Sequence, residues 1–270
     1  MIGNRKIAFI GAGFMGGAII RGLVRAKSVK GESLMAADPR EGALKELARE
    51  TGIKVTTDNA EAVSFADIVV LATKPQVLKS VVEPLGRKIG KKKLVISIAA
   101  GVRADSLLSW IGSGARVVRA MPNMPATVGE GATAICPAGA ADAMDIASAR
   151  LLFDCVGETV LVDEKMMDAV TGLSGSGPAF VFMFLEAMID AGVRCGLPRD
   201  AARALAAQTL YGAAKMAKTG GEHPAALKDR VTSPGGTTIA GLAVLEDEGF
   251  RGAVIRAVEE AAGRSRELGS

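Results

Sequence analysis

The sequence predicts an α/β fold, a doubly wound sheet over residues 1–162, followed by an all-α domain over residues 163–270. Three observations carry this division. Strand-like and helix-like segments alternate through the first part of the chain. A Gly-x-Gly-x-x-Gly run, Gly11 to Gly16, stands between the first strand and the first helix. From about Asp163 the β pattern stops, and only helical segments broken by glycine and proline follow.

Lys6–Ile10 is a short buried-strand pattern that runs into Gly11-Ala12-Gly13-Phe14-Met15-Gly16. In this setting Gly11 permits a tight turn and Gly13 lets the backbone approach a pyrophosphate. Gly16 lets the following helix, over 17–25, pack close to the strand. A second strand over 33–37 ends in Asp38, which completes the pattern of a Rossmann-type dinucleotide site. Asp38-Pro39-Arg40 reads both ways on cofactor choice. A carboxylate there suits the ribose diol of NAD, and a nearby arginine suits the 2′-phosphate of NADP.

A helix over 41–50 and a short strand over 53–56 come next. Asn59 is expected to cap a helix over 60–65, with a side chain facing the adenosine half of a cofactor as the second reading. A strong strand over 67–72 runs into Ala72-Thr73-Lys74-Pro75-Gln76. A strand over 94–99 ends within Ser97-Ile98-Ala99-Ala100-Gly101-Val102. Between them lie an amphipathic helix over 76–89 and a solvated Lys91-Lys92-Lys93 turn. Ligands of open α/β sheets sit outside the carboxyl ends of the strands, so both segments are expected to line the crevice. An exposed strand-to-helix turn is the plainer reading of Lys74-Pro75. Strands over 116–120, 132–136 and 159–162 complete the sheet, and the short loops expected between them suggest an antiparallel edge. Arg119-Ala120-Met121-Pro122-Asn123-Met124-Pro125 leaves its strand through two prolines, as a site wall or as a rigid turn.

In the second part, helices are expected over 165–171, 176–195, 199–219, 223–231, 238–248 and 251–268. About 105 residues is long enough to fold alone. The small-residue faces around 201–217 also suit burial against a second copy, which favours an obligate dimer. The apolar stretch 178–193 carries Glu186 and Asp190 and reads as too short and polar to span a bilayer. Gly172 to Pro178 forms a hinge-like opening of a long helix, where Ser174 and Ser176 either reach a ligand or merely cap. Glu164 is either an ordinary first-turn acid or a group facing a cationic nitrogen.

Thr232-Ser233-Pro234-Gly235-Gly236-Thr237-Thr238 has the composition of a small anion pocket. Gly235 and Gly236 leave backbone N–H groups uncovered, hydroxyls stand beside them, and Thr238 opens an apolar helix. An ordinary turn and cap is the alternative.

Composition excludes several classes. Net charge is +4 and dispersed, with no basic block beside stacking aromatics, so nucleic acid is not an expected partner. Three widely spaced cysteines argue against a disulfide framework or a zinc site and fit a reducing compartment. No secretory pattern opens the chain, and a soluble cytoplasmic protein is expected. His223, the one histidine, precedes Pro224 and reads as a loop residue. With no Ser/His/Asp or Cys/His grouping, hydrolase and metal chemistry have no support.

Gly11–Gly16, Ala72–Pro75, Ser97–Val102, Arg119–Pro125, Thr171–Pro178 and above all Asp229–Glu246 resemble the pyrroline-5-carboxylate reductase family over essentially the whole chain. The resemblance implies hydride transfer from NADPH, with NADH also open, to a cyclic imine, giving L-proline in the last step of its biosynthesis. It implies that Thr238 hydrogen-bonds the ring nitrogen while Ser233, Gly235, Gly236 and Thr237 hold the carboxylate. It further implies a homodimer with interlocked C-terminal helices and association of dimers into a higher oligomer. The family's preference for NADPH tips the Asp38/Arg40 ambiguity towards NADP. The chain departs from the family at Asp38, which does not help a 2′-phosphate, and at Arg230, where relatives are often uncharged. Two other readings compete. Beta-hydroxyacid dehydrogenases share the glycine run, but Val181 stands where their catalytic lysine would be. A non-catalytic NADP sensor on the same fold would not need the intact Ser233–Thr238 pocket.

Overall fold

The computed structural model describes residues 5–269. Eight strands form one sheet: β1 (Ile7–Ile10), β2 (Leu34–Ala37), β3 (Lys54–Thr56), β4 (Ile68–Leu71), β5 (Leu94–Ser97), β6 (Arg116–Met121), β7 (Gly131–Gly139) and β8 (Gly157–Leu161). Their order is β3-β2-β1-β4-β5-β6-β7-β8. Each strand expected from the sequence is present, because short apolar runs buried on both faces are unmistakable. Along β1, Ile7 and Phe9 join one apolar cluster while Ala8 and Ile10 join the other.

Seven helices accompany the sheet: α1 (Phe14–Arg25), α2 (Glu41–Thr51), α3 (Asn59–Phe65), α4 (Pro75–Val82), α5 (Gly86–Ile89), α6 (Ala104–Ile111) and α7 (Ala143–Phe153). The helix expected over 76–89 is interrupted by a 3-10 turn, Glu83–Leu85, because Pro84 lacks the N–H that an α-helix would use. The short loops expected between the last strands are partly replaced by helices. α6 joins β5 to β6, and α7, closed by a reciprocal Asp142/Asp145 capping box, joins β7 to β8. β7 and β8 are therefore parallel, and the antiparallel pair is β6 with β7, inside the sheet instead of at its edge.

The sheet has its switch point between β1 and β4, where the chain order reverses. There β1 runs out into Gly11 and β4 into Ala72. Gly11 has φ +100°, and a Cβ on it would stand 2.7 Å from the carbonyl oxygen of Ala72. A Cβ on Gly16 would in turn stand 2.5 Å from the carbonyl oxygen of Gly11. The glycines thus let strand end, turn and helix start occupy one small volume.

The chain divides into two compact units. One comprises the chain up to Ser176 together with the segment from Glu259 onward, and the other is Gly177–Val258. Residues 163–176, counted with the helical part in the sequence reading, pack with the sheet. Glu164 pairs with Arg119 of β6, and Asn123 donates to the carbonyl of Ser174. After the short helix α8 (Met167–Val170), residues Thr171–Gly175 form a π turn that continues directly into α9 (Gly177–Arg194). The expected hinge is thus a wide helical turn, closed by the N–H of Ser176 on the carbonyl of Thr171 at 2.8 Å.

α9, α10 (Arg199–Gly220), α11 (Pro224–Arg230) and α12 (Thr237–Asp247) belong to the second unit, as does the first half of α13 (Phe250–Leu268). Among its described residues only Ala202 and Ala206 are buried, while Phe182, Met183, Leu205, Tyr211, Val244 and Ile255 are exposed. Length alone suggested that this region could fold by itself, but it lacks the buried apolar core that requires. The helical run Glu164–Arg194 is 31 residues long with a mean hydropathy of 1.3 in its most apolar window, 6% of which is buried. The stretch 178–193 is therefore part of a run long and apolar enough to cross a membrane. The same numbers describe a helix whose apolar face meets another protein surface.

Gly11→Ala is expected to destabilise the first unit by about 2–4 kcal/mol, through a strained positive φ and overlap with the Ala72 carbonyl. A lowered urea midpoint measures this; an unchanged midpoint would show that the β1–β4 junction is looser than described.

Candidate active site

A cavity of about 580 Å³ opens at the switch point. Gly11, Gly13 and Phe14 line it from the glycine run, and Ala72, Thr73 and Lys74 from the end of β4. Asp38, Arg40 and Asn59 close its far side. The remaining residues expected to bind a cofactor stand elsewhere. Ala12 contributes its N–H to Asp38, Met15 packs on the core, Gly16 is buried beneath Gly11, and Pro75 is the first residue of α4. Ala99 is buried, Ala100 is exposed, and Gly101 lines a second, smaller cavity.

Asn59 does not cap α3. Asp58 does, accepting from the N–H of Ala60 at 2.8 Å, because the helix begins one residue earlier than the sequence suggested. Asn59 is thereby freed to face the cavity. Pro39, within the Asp38–Arg40 segment, also lines it, as do Thr57, Val77 and Val81, which sequence reasoning did not single out. The two valines sit on α4 one turn apart, a spacing that could have marked them.

The first turn of α1 is built for an anion. Its N-cap is Gly13, no side chain caps it, and no acidic residue lies in the turn. The leading N–H groups of a 12-residue helix and its dipole are therefore uncompensated. The hydroxyl of Thr73, beside this turn, is buried without a hydrogen-bond partner. A glycine cradle with no Cβ, bare N–H groups and an orphaned hydroxyl fit the pyrophosphate and ribose of a dinucleotide.

Asp38 is only 5% exposed. Its Oδ2 accepts from Ala12 N and Arg40 Nη2, each at 3.0 Å, and its Oδ1 accepts from Arg40 N at 3.0 Å and Arg40 Nε at 2.9 Å. Burial pushes this carboxyl up. The Arg40 side-chain hydrogen bonds, the N–H groups of Ala12 and Arg40 and the Arg40 charge outweigh it and hold Asp38 below the usual carboxylate range. The pair is therefore fully formed at neutral pH and is lost only as pH falls through that lowered value.

The second cavity, about 280 Å³, is lined by Gly101, Arg103, Arg119 and Glu164 among others. Arg119, buried within β6, donates through Nη1 to Glu164 Oε1 at 2.5 Å, and the same oxygen accepts from the N–H of Ala104 at 3.1 Å. Cys136 lies 3.5 Å from Oε2 of Glu164. Burial first, then the Glu164 charge, raises the pKa of this thiol to about 11, which keeps it protonated at neutral pH. Glu164 is thus occupied in joining β6, β7 and the start of α6. Asn123 also acts as a brace, accepting from Ala132 N at 2.8 Å and donating to Ser174 O at 3.0 Å. The hydroxyl of Ser174 donates back to Val170 O, whereas Ser176 carries no side-chain hydrogen bond to a described residue.

In the second unit, Thr232 N donates to Asp229 O, and Gly236 N closes a turn on Ser233 O at 3.1 Å. Gly235 has φ +63°, and a Cβ on Gly236 would collide with the Ser233 hydroxyl, which accounts for the glycine pair. Two details differ from the sequence reading. The Gly236 N–H is used by the turn, so of the two glycines only Gly235 keeps its N–H free among the described residues. α12 begins at Thr237 with Gly236 as its N-cap, which makes Thr238 the second helical residue. The hydroxyls of Ser233, Thr237 and Thr238 make no hydrogen bond to a described residue, and Thr238 is half-buried. They surround an uncapped helix start, where a carboxylate is favoured. His223 is the N-cap of α11, its Nδ1 accepting from Ala225 N at 3.2 Å.

Comparison with known proteins covers the whole chain. A family model for pyrroline-5-carboxylate reductase dimerisation matches residues 164–268, and one described as NADP oxidoreductase, coenzyme F420-dependent, matches residues 6–101. The pyrroline-5-carboxylate reductase of Methanosarcina acetivorans is 52% identical over 98% of both chains, and that of Escherichia coli 42% over 98% of both. Among solved structures, the Coxiella burnetii pyrroline-5-carboxylate reductase has a TM-score of 0.94 at 36% identity, covering 99% of each chain. The Plasmodium falciparum pyrroline carboxylate reductase with NADP bound has 0.90 at 36%, also covering 99% of each. Identity at this level over nearly the whole of both chains settles the family: the chain belongs to the pyrroline-5-carboxylate reductase family.

Proposed function

We propose that this chain is a pyrroline-5-carboxylate reductase, reducing the C=N bond of 1-pyrroline-5-carboxylate to L-proline at the expense of NADPH, in the last step of proline biosynthesis. The observation that carries the reading is the loop Ser233–Thr238, where three unpaired hydroxyls and a free glycine N–H meet an uncapped helix start in a chain that also holds a dinucleotide cradle. A sensor would need the cradle alone.

A bound reduced nicotinamide supplies the hydride, and little covalent chemistry is left to the protein. Gly11, Gly13 and the first turn of α1 hold the pyrophosphate, and Thr73 and Asn59 reach the sugars and base. The N–H of Gly235 and the hydroxyls of Ser233 and Thr237 hold the substrate carboxylate. The imine enters already protonated from water, so hydride addition at C5 gives the neutral amine. Thr238 orients the ring nitrogen and relays to that amine a proton taken up from water. No strong acid is required, which agrees with a single histidine spent on capping α11. Ser176 has a free hydroxyl for the substrate side, while Glu164 and Ser174 act through the contacts they brace.

The exposed apolar faces of the helical unit are covered by a second copy of the chain, with interlocked helices and further association of dimers. This use of α9 accounts for its apolar character in a soluble, cytoplasmic protein.

Three outcomes are expected. Purified protein oxidises NADPH only when 1-pyrroline-5-carboxylate is added, and Thr238→Ala lowers kcat by about 10–100-fold with NADPH affinity nearly unchanged. Loss of NADPH binding in that variant would place Thr238 at the wrong half of the reaction. Light scattering of the folded protein at micromolar concentration should give a dimer or a multiple of it, and a stable folded monomer would contradict the covering of the helical unit.

A further inference from the structure

The carboxylate of Asp38 raises a question that the sequence left open. At the end of the second strand, an acid is the group expected to accept a hydrogen bond from the 2′-hydroxyl of NAD, and it would repel the 2′-phosphate of NADP. The geometry gives it neither role. A carboxylate offers about four acceptor positions. All four are filled here, by Ala12 N, Arg40 N, Arg40 Nε and Arg40 Nη2. The side chain is 6% exposed, so it offers almost no surface to a ribose.

Arg40 stands in the opposite condition. It grips Asp38 through Nε and Nη2 in a two-point contact, which leaves both N–H groups of Nη1 and one of Nη2 unused. Its side chain is 63% exposed and lines the nucleotide cavity. Nη2 lies 3.9 Å from where a Cβ would stand on Gly13, so the guanidinium is laid over the glycine turn. A long arginine on a surface ordinarily samples many rotamers, and ordering it on a ligand costs part of the contact it makes. Held by Asp38 at two points, Arg40 has met that cost before a ligand arrives. Lys74, which lines the same cavity and has no side-chain partner among the described residues, adds a second positive charge.

We infer that Asp38 is a positioning residue that selects for a 2′-phosphorylated adenine nucleotide by fixing the guanidinium of Arg40 at the cavity, and that it does not bind ribose itself. The inference rests on the dinucleotide reading of the cavity and deepens it. It also reconciles an acid at this position with NADPH use. Replacing Arg40 by lysine would not preserve the arrangement, because an ammonium cannot hold Asp38 at two points and still present a planar face outward.

The test uses adenosine 2′,5′-bisphosphate and adenosine 5′-phosphate as probes, so that binding is read without turnover. Calorimetry on the full-length protein is expected to show the bisphosphate binding at least about tenfold more tightly, a difference of about 1.4 kcal/mol. Asp38→Asn keeps an acceptor for the N–H of Ala12 but cannot hold Arg40 at two points. It should reduce the discrimination to about twofold and leave affinity for the 5′-phosphate within about threefold of the parent. Arg40→Ala should abolish the discrimination, and the NADPH:NADH ratio of kcat/KM should fall in parallel in both variants. Because the measure is a ratio, any general damage to the glycine turn cancels. Tighter bisphosphate binding by Asp38→Asn would show that the acid repels the phosphate, and weakened 5′-phosphate binding alone would show that it holds the ribose; either overturns the inference. Equal binding of both probes by the parent protein would overturn it while leaving the dinucleotide reading intact, and binding of neither would overturn both.

Discussion

The close approach of Gly11 to Ala72 is the constraint from which the nucleotide end of this protein follows. Two parallel strands end side by side at the switch point, and the backbone of one must pass within contact distance of the other's last carbonyl. Only a residue without a Cβ can make that turn. Once it is made, α1 starts at Phe14 with its first N–H groups facing outward, and the N–H of Ala12 points at Asp38. Asp38 in turn holds Arg40. A single steric condition at one glycine is thereby passed through Ala12 and Asp38 to the guanidinium of Arg40 at the cavity.

The helical unit obeys a different constraint. It forms long, regular helices yet keeps its large apolar side chains outside, with Ala202 and Ala206 as its buried residues. Helices of this length are stabilised chiefly by packing of an apolar face, so the missing contacts must come from another surface. A homodimer supplies such a surface, in agreement with the match of residues 164–268 to a dimerisation family. The sheet-bearing unit has the opposite balance, with two continuous apolar layers of its own.

Much of this was legible in the residues. The eight strands could be read because each is a short apolar run with turn residues on both sides. The glycine run could be read because strand and helix flank it. α7 escaped notice because its sequence, Ala143 to Phe153, has apolar residues scattered around the helix instead of along one stripe. The cap of α3 was misplaced by one residue because Asp58 and Asn59 are both good N-caps, and only the backbone shows which is outside the helix. Thr238 was taken for the first residue of α12 because the local pattern does not reveal that Gly236 already serves as N-cap. The role of Asp38 was illegible for a deeper reason. Whether an acid recognises a ligand or is spent internally depends on how many donors reach it, and three of its four come from Arg40 two positions away. The Arg119–Glu164 pair was hidden in the same way, since its partners are brought together from separate elements.

The central claim is hydride transfer to an imine carbon, and isotope transfer addresses it most directly. NADPH carrying deuterium at C4 of the nicotinamide, on one face and then on the other, is turned over with 1-pyrroline-5-carboxylate, and the product is weighed by mass spectrometry. The account predicts one deuterium at the C5 carbon of L-proline from one of the two labelled faces and none from the other. Label lost to solvent, or consumption of the cofactor with no labelled proline from either face, would contradict it.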